Sequence, residues 1–175
     1  MNLIKTLIHP DVSNTNGTVF KREAARGIVL KNDSILLLFT ERYNDFSFPG
    51  GGVESGENIE LCLSRELAEE TGARNIQIKH HYGYIEEIRP YPKKEYELMH
   101  MISHFYMCEI DAVLGETKME SYEHKNGMRP VWVNLHDAIK HNKSVMQKKE
   151  KSMGQSIYRE TFMLDKIASD SMLII

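Results

Sequence analysis

Residues 49–52 read Pro-Gly-Gly-Gly and interrupt the chain more strongly than any other run in the sequence. Proline removes a backbone donor and glycine permits positive φ, so regular structure should stop there. Before this break, residues 18–30 and 35–39 are rich in aliphatic side chains and predict two β-strands, with a hairpin turn at residues 31–34. After it, residues 58–71 predict a helix. The chain therefore changes from strand to helix across a glycine-rich loop.

The remaining sequence alternates between strand and helix patterns. The predicted helix has Ser55 or Asn58 as its N-cap and Gly72 as its C-terminal stop. Further strands are predicted at residues 75–89, 96–110 and 131–133, and further helices at residues 135–142 and 155–168. Because strands and helices interleave and one long hairpin is embedded, we expect an α/β fold with a mixed sheet covered by helices.

Length and composition favour one globular domain. The 175 residues fit one ordinary domain better than two. A sequence that is 41% hydrophobic and 27% charged can bury a core and keep a soluble surface. We expect a single domain over residues 1–175, with a short N-terminal arm at about residues 1–17 and a C-terminal helical extension at about residues 150–175.

Charge and cysteine content argue against several classes of protein. With 22 Lys and Arg against 25 Asp and Glu, the net charge of −3 offers no basic field for a nucleic acid or an anionic membrane. Residues 1–10 lack the apolar run of a signal peptide, and no segment resembles a membrane span. Cys62 and Cys108 lack metal-ligand spacing, so we expect buried, reduced thiols. A cytoplasmic location is the resulting expectation.

Three glutamates share one side of the predicted helix. At about 100° per residue, Glu69 and Glu70 lie roughly 60° and 40° to either side of Glu66. They continue the stripe of Ile59 and Cys62, so they would point into a cleft if that stripe faces the protein. Clustered carboxylates then need a cation, and without Cys or His in the cluster Mg²⁺ or Mn²⁺ suits them better than zinc. Alternatively, the glutamates form a solvated helix face with ordinary surface ion pairs.

The spacing of these residues matches a longer pattern. It consists of a glycine, five residues, a glutamate, seven residues, and then Arg-Glu-aliphatic-x-Glu-Glu-x-Gly-aliphatic. The fixed positions are occupied here by Gly51, Glu57, Arg65, Glu66, Leu67, Glu69, Glu70 and Gly72, with Ala73 as a small apolar ending. Residues 51–73 thus resemble the Nudix box. The resemblance implies a Nudix-type α/β/α sandwich with a mixed β-sheet and a catalytic loop–helix–loop. It also implies metal-dependent hydrolysis of a nucleoside diphosphate linked to another group.

The resemblance assigns metal-binding roles within the box. Glu66 and Glu70 are implied as the principal ligands of Mg²⁺ or Mn²⁺, and Glu69 as a further ligand or as the base that orients water. The Gly51 carbonyl is implied as a backbone ligand, because glycine allows close approach. Glu57 is implied either as an outer metal ligand or as a structural brace.

Two more catalytic groups are expected, one inside the box and one outside. Arg65 matches the box arginine, and an arginine beside carboxylates lowers their pKa values and keeps them ionised for metal binding. Many Nudix proteins recruit one more acidic residue from a loop before the late tryptophan strand. Glu116, Glu120 and Glu123 precede Trp132 here, and Glu123 is our choice.

Candidate substrate contacts lie on or beside the strands that lead into the box. Arg26 and Arg42 could meet phosphates, and Tyr43 and Phe48 could stack on a base. Phe48 also suits the core, and Arg26 could instead face solvent. We therefore expect a small nucleotide as the partner of this site.

Several functions fit the same box. The leading one is hydrolysis of a nucleotide sugar, ADP-ribose or a nucleoside triphosphate. Processing of RNA 5′ ends is an alternative that the acidic charge balance disfavours, and a non-catalytic, nucleotide-binding regulatory domain is another. The apolar residues 172–175 either pack on the domain or cover a partner subunit in a homodimer.

Overall fold

The computed structural model describes residues 2–91 and 93–172. Their strands and helices, in chain order, are β1 (Leu3–Ile8), β2 (Val19–Ile28), β3 (Leu30–Lys31), β4 (Ser34–Thr40), β5 (Asp45–Ser47), α1 (Ile59–Thr71), β6 (Gln77–Pro90), β7 (Leu98–Glu109), α2 (Ser121–Lys125), β8 (Met128–Asn134), α3 (Leu135–Lys148) and α4 (Ile157–Met172).

The first sheet has the strand order β1-β6-β7-β2. β6 and β7 are antiparallel and form the long predicted hairpin, whereas β1 is parallel to β6 and β2 is parallel to β7. The sheet is therefore mixed, as expected. β1 lies in the predicted N-terminal arm and was not predicted as a strand, because its sequence, Leu-Ile-Lys-Thr-Leu-Ile, does not alternate apolar and polar residues.

The second sheet is built around β4. β3 and β5 pair with successive parts of one edge of β4, and β8 pairs with all of β4 on the other edge, each in antiparallel orientation. The predicted turn at residues 31–34 is confirmed, with Asn32 at φ 54°. β8 extends the predicted residues 131–133 in both directions.

Helices cover both sides of the sheets, which confirms the expected sandwich. On one side, Leu63 and Leu67 of α1 pack on Ala25 and Leu36, and both leucines are fully buried. On the other side, α3 and α4 enclose a second core cluster. That cluster includes Ile28, Ile35, Leu37, Phe48, Ile85, Phe105, Leu135, Ala138, Met163 and Leu164.

The C-terminal part of the chain differs most from the sequence prediction. α3 continues six residues beyond residue 142, because Asn142 and Val145 are buried against neighbouring elements. α4 contributes Met163 and Leu164 to the core. The short elements α2 and β5 were not predicted. Of the apolar residues 172–175, residues 173–175 lie outside the described part of the chain. No helix in residues 2–91 and 93–172 combines the length and apolar character needed to cross a membrane.

Candidate active site

A cleft of about 500 Å³ lies between the glycine-rich loop, α1, α2, the middle of β2 and the C-terminal ends of β4 and β6. Both acidic and basic side chains line it. The lining residues include Arg22, Arg26, Tyr43, Phe48, Gly51, Arg65, Glu66, Glu70, Arg89, Glu120, Tyr122 and Glu123.

Local sequence signals fix the helix that presents the glutamates. The Asn58 side chain accepts hydrogen bonds from the backbone N–H groups of Glu60 and Leu61, at 2.9 and 3.2 Å. Asn58, rather than Ser55, is therefore the N-cap. At the other end Gly72 adopts φ 70°, and a Cβ there would overlap the Gly115 carbonyl.

Glu66 and Glu70 lie one turn apart on the side of α1 that faces the cleft. Their side-chain exposure differs from that of Glu69, since the Glu66 side chain is 16% exposed and that of Glu69 is 40% exposed. Glu69 does not line the cleft. Glu66 and Glu70 therefore face the cleft, and Glu69 lies at its margin.

Glu70 is an almost fully buried carboxylate, with 5% of its surface exposed. Its Oε2 accepts a hydrogen bond of 2.7 Å from the Gly50 N–H. Desolvation by burial raises the pKa of Glu70 to about 8, against the lowering effects of the Gly50 N–H and of Arg26. A cation placed beside Glu70 would reverse this penalty.

Arg65 holds three of the box glutamates together at the edge of the cleft. Its guanidinium lies 3.2 Å from Glu57, 2.8 Å from Glu66 and 3.2 Å from Glu69. The expected lowering of carboxyl pKa values is found for Glu57, where the backbone N–H of Glu54 is the largest cause and Arg65 adds to it. The pKa of Glu66 is raised instead, because desolvation by burial outweighs the opposing effect of Arg65.

Gly51 brings the backbone of the loop against α1. A Cβ at this position would overlap the end of the Glu66 side chain, so a larger residue would displace this carboxyl from the loop. The Gly51 carbonyl already accepts a hydrogen bond of 2.9 Å from the Ala25 N–H. A carbonyl oxygen has two lone pairs, so one remains for a further partner.

Glu123 enters the cleft from the opposite side, on α2. It is 7% exposed, its Oε2 accepts from the Glu120 N–H at 2.7 Å, and its Oε1 accepts from the Tyr122 hydroxyl at 3.1 Å. Of the three acidic candidates before Trp132, Glu120 and Glu123 line the cleft and Glu116 does not.

Three of the four residues expected to contact substrate line the cleft, and the fourth does not. Arg26 and Tyr43 line the cleft, and Arg26 Nη1 donates to the Gly50 carbonyl. Phe48 reaches the cleft but its side chain is fully buried against Phe105, with ring centroids 5.2 Å apart. Arg42 does not line the cleft. It lies 5.5 Å from the Tyr43 ring centroid, and its Nη1 donates to the Asn126 side chain at 3.1 Å.

The sequence prediction missed Arg22, Arg89 and Tyr122, all of which line the cleft. A signal for Arg22 was present, because Arg22 and Arg26 are separated by an even number of positions on one strand and so face the same side of the sheet. Arg89 is the second-last residue of β6, the first strand of the long hairpin, and its position follows from the pairing of Arg89 with Met99 on β7.

The donor set suits a hard divalent cation. Glu66, Glu70 and Glu123 supply carboxylate oxygens around one cleft, and Gly51 gives a close backbone carbonyl. Such oxygen ligands are those that Mg²⁺ and Mn²⁺ prefer. In the described ranges no three Asp, Glu, His or Cys side chains already converge on one point. Glu66 accepts a hydrogen bond from Arg65, and Glu70 and Glu123 accept hydrogen bonds from backbone N–H groups.

Two segments of the chain are similar in sequence to known proteins. A 55-residue segment is 46% identical to the RNA pyrophosphohydrolase of Actinobacillus pleuropneumoniae serotype 5b (strain L20), covering 30% of this chain and 27% of that protein. A 36-residue segment is 50% identical to the RNA pyrophosphohydrolase of Caulobacter vibrioides (strain NA1000 / CB15N), covering 21% of this chain and 20% of that protein. The chain therefore spans less than a third of either relative's length.

Solved structures and a family model were also matched. A MutT NUDIX hydrolase from Burkholderia pseudomallei aligns with a TM-score of 0.49 and 18% identity, over 67% of this chain and 85% of that one. A MutT protein from Bacillus halodurans aligns with a TM-score of 0.48 and 25% identity, over 68% of this chain and 72% of that one. The sequence model of the NUDIX domain matches residues 21–154. Because this match covers most of the chain, the protein belongs to the NUDIX domain family.

Proposed function

We propose that this protein is a metal-dependent pyrophosphohydrolase that cleaves a phosphoric anhydride bond in a nucleotide. Candidate substrates are a nucleotide sugar, ADP-ribose or a nucleoside triphosphate. One observation carries the proposal: Glu66 and the buried Glu70 share a single cleft with Arg26. Carboxylates there suit a divalent cation, and an arginine suits a phosphate.

The metal-binding assignment follows from position in the cleft. Glu66 and Glu70 are the proposed ligands of Mg²⁺ or Mn²⁺, with the Gly51 carbonyl beside them. Glu57 and Glu69 lie farther out and contact Arg65, so we assign them to outer positions that hold the arginine and Glu66 in place. A bound divalent cation would neutralise phosphate charge and lower the pKa of a bound water.

The chemical step adds water across a P–O–P bond. The attacking water must lose a proton, and the leaving phosphate oxygen takes up negative charge. Glu123 lines the cleft, and we propose that it accepts this proton or orients the water. Glu69 is the second candidate for the same role. Arg65 keeps Glu66 oriented by its 2.8 Å contact.

Substrate binding is assigned to cleft residues outside α1. Arg26 is the proposed phosphate contact, and Tyr43 offers an aromatic surface for a base. Arg42 would act through Tyr43 and Asn126, because it does not line the cleft itself. Phe48 would shape the floor rather than stack, because its side chain is fully buried. A cytoplasmic location and a free nucleotide as partner belong to the same proposal.

RNA 5′ ends form a second candidate substrate. The RNA pyrophosphohydrolases noted above are similar to this chain over 55 and 36 residues, with 46% and 50% identity. An RNA with a 5′-triphosphate presents the same anhydride bonds as a nucleoside triphosphate. We therefore include it in the test of function.

The experiment is a phosphate-release assay, coupled to a phosphatase where needed, with Mg²⁺, Mn²⁺ or EDTA. Substrates are ADP-ribose, sugar nucleotides, dinucleoside polyphosphates, normal and oxidised nucleoside triphosphates, and a 5′-triphosphorylated RNA oligonucleotide. We expect cleavage of at least one class, and its loss in EDTA. A folded protein that binds nucleotide and metal but cleaves nothing would overturn the proposal in favour of a regulatory binding domain.

A further inference from the structure

Tyr122 lines the cleft from α2, and the two ends of its side chain have different surroundings. The residue is 57% exposed, so much of it lies at the rim of the cleft. Its hydroxyl, by contrast, donates a hydrogen bond of 3.1 Å to Oε1 of Glu123, which is only 7% exposed. A tyrosine this exposed contributes little to the core, so the hydroxyl contact, rather than packing, distinguishes this side chain.

The Glu123 carboxylate is held at both of its oxygens. Oε2 accepts a hydrogen bond of 2.7 Å from the Glu120 N–H, and Oε1 accepts the bond from the Tyr122 hydroxyl. Donors to both oxygens fix the rotation of a carboxylate as well as its position. Each carboxylate oxygen can accept about two hydrogen bonds, so each retains a free lone pair for another partner. Glu123 is therefore oriented while it can still accept a proton.

The Tyr122 hydroxyl lies within the field of the other cleft carboxylates. Burial is the largest cause that raises the pKa of the Tyr122 phenol. The charges of Glu123, Glu120 and Glu70 raise it further. Because Glu70 lies on α1, its effect shows that the hydroxyl end of Tyr122 is close to the proposed metal ligands. The phenol keeps its proton at neutral pH and stays a donor to Glu123.

Glu69, the second candidate for proton acceptor, is placed differently. Its side chain is 40% exposed, it pairs with Arg65 at 3.2 Å, and it does not line the cleft. A charged arginine partner lowers the basicity of a carboxylate more than a neutral hydroxyl or amide does. Position and partners thus favour Glu123 as the carboxylate that meets the attacking water.

We infer that Tyr122 is a positioning residue, whose hydroxyl holds Glu123 in the orientation that accepts a proton from the attacking water. This inference rests on the proposed function, and it assigns the proton to Glu123 rather than to Glu69. In the step, the water oxygen bonds to phosphorus, its proton passes to the Glu123 carboxylate, and the bond to the leaving phosphate oxygen breaks. Tyr122 keeps its own proton throughout and acts only through Glu123.

The main test is a double-mutant cycle on the best substrate of the phosphate-release panel, at saturating Mg²⁺. Tyr122→Phe keeps the ring and removes the hydroxyl. It should lower kcat roughly tenfold, the scale of one lost hydrogen bond to a charged group, and leave KM nearly unchanged. In a Glu123→Gln background the same substitution should have no further effect, because Tyr122 acts through Glu123.

Three comparisons separate this role from others. In a Glu69→Gln background, Tyr122→Phe should keep its full effect. Tyr122→Ala should lower kcat no further than Tyr122→Phe, because the ring is largely exposed. Tyr96→Phe is the matched control and should leave kcat unchanged, because Tyr96 packs on Phe20 and does not line the cleft.

Two kinetic results would overturn the positioning role: an unchanged kcat in Tyr122→Phe, or the same loss with and without Glu123. A large change in the Mg²⁺ concentration for half-maximal rate in Tyr122→Phe would also overturn it, because Tyr122 would then act on the metal instead of on the proton acceptor. A chain that cleaves no substrate in the panel fails earlier, at the proposed function itself.

A second measurement tests the contact without catalysis. The near-ultraviolet absorption of Tyr122 is the difference between the spectra of the unaltered protein and Tyr122→Phe in EDTA. Donation to a carboxylate shifts a phenol band to longer wavelength, so the same difference taken in the Glu123→Gln background should lie at shorter wavelength. Identical bands in the two backgrounds would contradict the contact and with it the inference. A shifted band in a chain without hydrolytic activity would leave the contact standing and reject its catalytic role.

Discussion

Glu70 and Asp45 show how burial of single carboxyl groups shapes this protein. Both are almost fully buried, and desolvation by burial is the largest cause of a raised pKa in each, to about 8 for Glu70 and about 7 for Asp45. Glu70 lines the cleft, so a metal ion can compensate for its burial. Asp45 does not line the cleft and lies near Glu160, which raises its pKa further. The same physical effect thus serves the proposed function at one position and costs stability at the other.

The first prediction concerns Glu70→Gln. Glutamine keeps the shape and can still accept from the Gly50 N–H, but it cannot supply the charge that a divalent cation needs. Turnover at saturating Mg²⁺ should fall by roughly three orders of magnitude, or about 4 kcal/mol of transition-state stabilisation. Circular dichroism should show an intact fold. Glu60→Gln, on the exposed first turn of α1, is the control. An unchanged rate in Glu70→Gln would remove Glu70 from the mechanism.

The second prediction concerns Asp45→Asn and pH. The unfolded carboxyl ionises near pH 3.8 and the folded one near pH 7. The folded state therefore holds the proton more tightly, and stability falls as the pH rises from about 4 to about 7 and stays lower above that. Asparagine removes this loss, so the variant should be more stable than the unaltered protein at pH 8, by about 4 kcal/mol, and should lose that advantage near pH 4. Urea unfolding at both pH values measures this. A constant difference between the two proteins would contradict the raised pKa.

Among the elements, α1 is the one whose sequence and structure agree most closely. It begins after Asn58 and ends at Gly72, close to the predicted bounds, because both caps are local interactions. Leu63 and Leu67 anchor one face, and the spacing along the helix then places Glu66 and Glu70 toward the cleft. The position of the glutamates therefore depends on how well the helix ends are held.

The third prediction tests the N-cap. Asn58→Ala removes two hydrogen bonds to helix N–H groups and should lower the free energy of unfolding by about 1 kcal/mol. Ser55→Ala is the matched control, because Ser55 was the other candidate cap and makes no such bond in the structure. Urea denaturation of the two variants provides the comparison. Equal effects would show that the Asn58 side chain does not cap the helix.

At the scale of the whole molecule, α4 joins the two sheets beneath the cleft. Arg159 contacts Glu87 on β6 of the first sheet. Its neighbour Glu160 accepts from the Phe48 N–H, just after β5 of the second sheet. This buried network links the C-terminal helix to the loop that leads into the glycines. α4 is therefore part of the frame of the candidate site, although the sequence suggested only an extension.

The fourth prediction tests this network. Arg159→Ala leaves Glu87 and Glu160 buried without their main partner, and it should destabilise the fold by about 3 kcal/mol or more. Lys143→Ala is the control, because it breaks a half-exposed ion pair with Asp165 between α3 and α4 and should cost less than about 1 kcal/mol. Thermal unfolding separates the two. Similar small losses in both variants would show that the buried network contributes little.

The sequence by itself determined the elements that depend on neighbouring residues. The C-terminal stop of α1, the turn around Asn32, the long hairpin and the spacing of the box glutamates follow from local conformational preference and regular spacing, which act over a few residues. Helix boundaries that depend on tertiary burial could not be predicted from the sequence. The C-terminal end of α3 is an example, because Asn142 in its interior donates a hydrogen bond to the backbone of Phe46, 96 positions away.

Only the tertiary structure decided which charged groups meet. Helical spacing placed three glutamates on one side, but the packing of the loop and α2 selected Glu66 and Glu70 for the cleft and left Glu69 at its margin. Strand pairing brought Arg89 to the wall that Arg22 and Arg26 line, and Glu160 reached Phe48 across 112 positions. Periodicity fixes the direction of a side chain relative to its own element, whereas its partners depend on contacts between elements that no local pattern encodes.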